Sequence, residues 1–279
     1  MSIPIVDAHQ HFWDVERFHY PWITPQIDVL RRAFLPEHLK PILAKAGVDR
    51  TILVQALHSL AESRWLLELA SANEFIAGVV VWVDLTSSSL GRDLDEIQVH
   101  PKFKGVRHDI EDEPDEKWMI RKDVLLGLTE IECRGIPFDL LVRPRHLKYI
   151  PILRASCPRL KLVVDHIAKP AIARGEMDPW ARDLELVARL PNVCCKLSGM
   201  ITEASWESWK PDDLKPFVEH VVRQFGYSRL MFGSDWPVCT LAGSYQQAMA
   251  ALRHVLGSLS DADATKVWGG SAIDFYQVS

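Results

Sequence analysis

The chain has 279 residues, of which 48% are hydrophobic and 25% charged, and its formal net charge is −5. That length suits one large α/β domain, since barrels of that class run to about 250 residues, and the acidic balance offers no footprint for nucleic acid. No stretch approaches the ~18 apolar residues of a membrane span, and the opening MSIPIVDAHQ has no basic segment ahead of an apolar one, so no membrane partner and a cytoplasmic location are expected.

In chain order, eight short apolar runs, most rich in β-branched residues, read as buried parallel strands: Ile3–Asp7, Thr51–Gln55, Ile76–Val83, Gly105–His108, Pro137–Val142, Leu160–Asp165, Val193–Leu197 and Arg229–Gly233. Helical patterns fill the gaps, among them LPEHLKPILAKAG, SRWLLELASAN, DVLLGLTEIECRG and DLKPFVEHVVRQFG, with Gly47, Gly135 and Gly226 as stops. The expectation is a single-domain (β/α)8 TIM barrel spanning residues 1–279, because an open doubly wound sheet usually carries a glycine-rich phosphate turn and no G-x-G-x-x-G occurs. Residues 12–35, containing Trp13, Tyr20 and Trp22, form an insertion long enough to lie over the barrel mouth. The five cysteines form no C-x-x-C pair and are expected to be small core residues, with one of Cys194 and Cys195 facing the barrel interior.

Active sites of such barrels gather at the C-terminal strand ends. In DAHQHFW, residues two apart on a strand share a face about 6.6 Å apart, from the ~3.3 Å rise per residue, so the imidazoles of His9 and His11 can converge. An isolated H-x-H is weak evidence, since strand-end imidazoles often only bond backbone. It gains weight from His166 in VVDHIAKP and Asp235 in LMFGSDWPV at two other strand ends, although Asp235 before Trp-Pro also suits a turn or helix cap. Three imidazoles and a carboxylate suit one divalent ion, zinc first, with a position left for water. Such an ion brings the pKa of water from 15.7 to about 7, and Asp235 could accept the water proton and return it to a leaving group.

Together with FKGVRH and CKLSG, these motifs, in order from residue 3 to about 270, resemble the amidohydrolase superfamily, in particular its sugar-lactonase branch that includes L-fuconolactonases. The resemblance implies a hydrolase that opens a sugar-acid lactone, L-fuconolactone or a related aldonolactone, with water. It implies that His9, His11, His166 and Asp235 form the metal or water site with Asp235 as base, and that Arg107, His108, Lys169 and Trp236 hold the lactone and polarise its carbonyl. His166 and His108 join Asp235 as the expected catalytic set, and Trp13 and Trp82 are expected to touch the sugar. Arg107 and His108 could instead pair with the acidic run from Asp109 to Glu113, and Lys196 could replace Lys169 as the cation. Binuclear superfamily members carry a bridging lysine at the end of strand 4. Here Lys104 lies at that strand's start, so at most one ion is expected, and a dispensable one, because a lactone has a better leaving group than an amide. The rivals are a metal-dependent decarboxylase of a related branch, which typically has an acidic residue at the position of His9, and a non-catalytic sugar-binding barrel.

Overall fold

The computed structural model describes residues 4–278. Eight parallel strands are ordered β1 (Val6–Gln10), β2 (Arg50–Val54), β3 (Ile76–Val81), β4 (Phe103–Asp109), β5 (Phe138–Leu141), β6 (Leu162–Val164), β7 (Val193–Leu197) and β8 (Leu230–Phe232), each paired with the next. The ring closes just beyond β8, where Gln10 and Trp236 form a parallel bridge. There the Asp235 amide donates to the His9 carbonyl at 2.8 Å and the His11 amide to the Trp236 carbonyl at 2.7 Å. Helices fill the crossovers: α1 (Pro36–Ala46), α2 (Leu60–Ala72), α3 (Leu90–Ile97), α4 (Lys122–Cys133), α5 (Ile150–Ser156), α6 (Trp180–Ala188), α7 (Pro211–Phe225) and α8 (Tyr245–Leu256), followed by α9 (Asp261–Thr265) and α10 (Ser271–Tyr276). The eight-stranded barrel expected from the sequence is therefore the fold. Among the described residues no helix is long and apolar enough to cross a membrane.

Strand boundaries agree to within two residues except at β1, which starts at Val6 rather than Ile3, a residue outside those described. Pro4 has no N–H to give a ladder, and the Ile5 amide is taken by the Asp49 carboxylate at 2.8 Å. The later start carries His9 inside the strand and His11 just past it. Gly47 and Gly135 end α1 and α4 with positive φ, as the stop signals suggested.

Inside the barrel, Val6, Ala8, Ile52, Val54, Val163 and Met231 form an apolar floor closed from below by Ala272, Phe275 and Tyr276 around α10. Cys194 packs on this floor, whereas Cys195 belongs to the larger core between strands and helices. Cys133 departs from the expected core role, being exposed at the end of α4. In the first crossover, backbone hydrogen bonds between Trp13 and Phe34 at 2.9 and 3.0 Å pinch off the intervening segment as a closed loop.

Candidate active site

Above the floor, an open cavity of about 550 Å³ is lined by His11, His166, Asp235, Arg107, Lys169 and Trp22, with Asp109 and Glu111 on its wall. Three imidazoles surround one carboxylate oxygen: Asp235 Oδ1 is 3.5 Å from His11 Nε2, 3.8 Å from His9 Nε2 and 3.9 Å from His166 Nε2. The Nε2 atoms of His9 and His11 are 3.0 Å apart.

Each of these side chains is aimed by its own local device. The Asp7 carboxylate, buried outside the barrel, accepts the amides of His9 at 3.1 Å and Ser234 at 2.9 Å and the Tyr245 hydroxyl at 2.9 Å, locking the tops of β1 and β8 together. His11 Nδ1 bonds the Val54 carbonyl at 2.8 Å, which puts the proton on Nδ1 and leaves a lone pair on Nε2. After β6, four successive residues without a glycine, His166, Ile167, Ala168 and Lys169, have φ of 52°, 49°, 62° and 49°. A left-handed turn costs roughly 1–2 kcal/mol per non-glycine residue, so the surrounding packing has to impose it. At about three residues per turn it brings His166 and Lys169 to the same cavity. Gly199 makes room for it: a Cβ there would lie 2.5 Å from His166 Nδ1. His166 Nδ1 bonds Ser198 Oγ at 2.9 Å, again turning Nε2 toward Asp235.

Behind the imidazoles lies a buried charge network. Lys196 Nζ, fully buried, bonds Asp139 at 2.6 Å and His9 Nδ1 at 3.1 Å and lies 3.0 Å from Asp165 Oδ1. Tyr276 reaches up from α10 to donate to Asp139 at 2.7 Å. Arg107 donates to the Gln55 carbonyl at 2.6 Å, stands 3.4 Å from Asp165, and remains cationic because Asp109, Asp165 and Asp139 outweigh the cost of its burial. Burial, helped by the Lys196 cation and against the pull of Asp165, drives His9 well below the usual imidazole range, and burial brings His166 down to about 4. Both are therefore neutral at neutral pH. Burial would raise the Asp235 carboxyl, but the neighbouring His166, the hydrogen bond with His11 and the nearby His9 hold it well below the ordinary carboxylate range.

The donor set fits a divalent ion. A tetrahedron of N and O ligands at ~2.0–2.1 Å has edges of about 3.3 Å, close to the separations around Asp235. One buried oxygen, Asp165 Oδ1, ion-paired with Lys196 at 3.0 Å, lies 3.4 Å from His9 Nδ1, where an acceptor is required if His9 is to offer Nε2 to an ion. Lys104 lies at the far end of the barrel, bonded to the Gln277 carbonyl and away from this cluster.

Four of the sequence-selected residues reach neither the cavity nor the imidazole cluster. His108 alternates outward from Arg107 on β4, stacks on Trp118 at 3.8 Å, accepts the Trp82 indole N–H at Nδ1 and bonds Glu113 from Nε2 at 2.6 Å. Trp82 is spent on that contact and on a stack with His58. Trp13 is wholly buried edge-on against Trp22 and Phe34, and Trp236 against Phe12 and Phe34. Trp13 thus supports Trp22, whose indole N–H bonds the Ala56 carbonyl at 2.8 Å and whose ring lines the cavity. Lys169 is held by Glu111 at 2.5 Å, and Lys196 is too buried to act as the substrate cation. Asp165, Asp139 and Glu111 were not singled out as site residues. The only sequence signal was the Asp immediately before His166, a strand-end carboxylate of the kind that partners histidine.

Known proteins share this arrangement's scaffold over its whole length. The sequence profile of the amidohydrolase family matches residues 6–278. An L-fucono-1,5-lactonase of Burkholderia ambifaria is 39% identical over 98% of this chain and 95% of its own, and an L-fucono-1,5-lactonase of Burkholderia multivorans is 37% identical over 97% and 95%. A crystal structure of an amidohydrolase from Burkholderia multivorans with bound zinc superposes with a TM-score of 0.92 at 36% identity, covering 99% of this chain and all of that one.

Proposed function

Because the chain belongs to the amidohydrolase family, we propose that it is a lactonase that opens a sugar-acid lactone, with L-fuconolactone or a related aldonolactone as substrate. The observation that carries this reading is the convergence of three imidazoles on the Asp235 carboxylate at the base of an open cavity. The full-length likeness to two L-fucono-1,5-lactonases supports it.

Asp235, ionised and beside the imidazoles, takes a proton from the water that attacks the lactone carbonyl carbon. The carbonyl π pair moves onto oxygen, where the Arg107 guanidinium and the Lys169 ammonium, both on the cavity wall, stabilise the negative charge. Collapse of the tetrahedral adduct breaks the bond to the ring oxygen, which receives the proton from Asp235. The product is the open hydroxy acid. Trp22 offers its face to the sugar, while His108, turned away, steadies Trp82 and Glu113 rather than the substrate. His9, His11, His166 and Asp235 are the residues that would hold a divalent ion, zinc by its donor set, which would supply Lewis acidity and lower the pKa of water to about 7. Such an ion would add to the reaction without being essential to it. A decarboxylase is disfavoured by His9, which occupies the position where that branch typically has an acidic residue.

The test is acid release, followed with a pH indicator, from a panel of γ- and δ-lactones of fuconate, galactonate and arabinonate, with and without exhaustive chelation. Turnover on the panel, reduced only modestly by chelation, is expected. Silence across it refutes the lactonase reading, and loss to background on chelation refutes the dispensable ion.

A further inference from the structure

His9 Nδ1 has two buried neighbours that ask opposite things of it. Lys196 Nζ, at 3.1 Å, has only protons to give, whereas Asp165 Oδ1, at 3.4 Å, can only accept one. A neutral imidazole carries a single N–H, so the choice of neighbour at Nδ1 decides the state of Nε2. If Lys196 donates to Nδ1, the His9 proton sits on Nε2 and points at His11 Nε2, 3.0 Å away. His11 in turn donates from Nδ1 to the Val54 carbonyl. That chain, from Lys196 through His9 and His11 to Val54, is complete without an ion, and in it Asp165 Oδ1 keeps only the Lys196 ammonium, 3.0 Å away. If instead His9 donates from Nδ1 to Asp165, that oxygen gains a second donor besides Lys196 and Nε2 presents a lone pair beside those of His11 and His166.

We propose that Lys196 and Asp165 compete for Nδ1 of His9, and that Lys196 weakens the ion site by holding His9 in the tautomer whose Nε2 is blocked by its own proton. Ligating histidines ordinarily donate their second N–H to a carboxylate or carbonyl, and losing such a partner lowers metal affinity roughly 10–100-fold. Here the carboxylate is present, but a lysine on the neighbouring strand stands closer. Lys196 is thus a positioning residue that makes the ion optional, and Asp165 is the one that favours it. The inference rests on the reading that His9, His11 and Asp235 form the ion site.

The experiment is a zinc titration against a chromophoric chelator on the intact chain, D139N, D139N/K196M and D165N. The double variant removes one buried positive and one buried negative charge together, and D139N alone retains the lysine. D139N/K196M should bind zinc about tenfold or more tightly than D139N, and D165N about tenfold or more weakly than the natural chain. A double variant that melts cooperatively yet binds zinc no tighter than D139N overturns the proposal. No zinc bound by any of the four chains overturns the ion-site reading itself. If the double variant fails to fold, nitrogen-15 NMR of histidine-labelled natural chain decides, with the His9 signals identified by their loss in H9Q. His9 should show an unprotonated Nδ1 without zinc and a protonated Nδ1 with it; a protonated Nδ1 in the zinc-free chain overturns the proposal.

Discussion

Two layers of the barrel interior lie within a few residues of one another along the same strands. In the lower layer Val163, Cys194 and Met231 pack against Phe275 and Ala272. Two residues further along the same strand directions stand Asp165 and Lys196, in a layer that also buries His9, Arg107 and Asp139. The lower layer excludes water, and because it does, the charges above it must satisfy one another. In that low-dielectric setting a matched pair is strong and an unmatched atom costly. Tyr276 joins the layers, its ring in the apolar floor and its hydroxyl on Asp139. A barrel of this kind keeps its stability in one layer and its chemistry in the next.

The sharpest way to break the comparison is at Asp235. Asp235→Asn should lower kcat by about 10²–10⁴-fold with little change in unfolding midpoint, since the side chain lies at the cavity rather than in the packed floor. Near-normal turnover by the folded variant would remove Asp235 as the base. The reverse outcome is expected one layer down: Met231→Ala, at a wholly buried position, should cost about 2–5 kcal/mol of stability by leaving a cavity while kcat/KM per folded molecule stays close to normal. Denaturant unfolding and active-site titration read the two effects separately. Comparable damage to both would mean that the floor and the site are not separable.

Trp22→Ala probes the mouth from outside the barrel. KM should rise several-fold with kcat changed less, the pattern of lost ground-state binding, and an unchanged KM would take Trp22 out of the substrate's reach. The smallest effect is expected beside the same loop, at Glu62 on α2, whose carboxylate accepts the amides of Ala56 and Leu57 at 3.1 and 2.9 Å. Burial raises its pKa to about 8. A carboxyl with a raised folded-state pKa holds its proton after the unfolded chain has lost it, so stability falls as pH rises from about 4.5 toward 8. Below pH 6.5 this slope is masked: buried His166 and His108, at about 4, push stability the other way, and Asp7 and Asp139 titrate near 6. Between pH 6.5 and 8 the melting temperature of the natural chain should therefore decline, and that decline should flatten in Glu62→Gln. An equal slope in both proteins would rule out Glu62 as its source.

The barrel was legible because burial on both faces forces each strand to be a short apolar run, and because helix stops such as Gly47 and Gly135 are local requirements. His9, His11, His166 and Asp235 were legible because each ends such a run. The two-residue period of a strand should also have turned His108 outward once Arg107 faced in. The tryptophans were misjudged for a different reason: an indole in a long loop can serve the substrate or the loop's own core, and Trp13 and Trp22, nine residues apart, divide those roles between them.

What the sequence by itself determined is the inventory, eight strands and the polar residue closing each, since those follow from hydrophobicity and periodicity along the chain. What only the tertiary structure decided is how those residues meet. The left-handed turn from His166 to Lys169 has no glycine to announce it and exists because Gly199, thirty residues onward, leaves room for the imidazole. The meeting of Lys196 and Asp165 at one nitrogen of His9 is likewise set by strand register around a closed ring, which fixes distances between residues far apart in the chain.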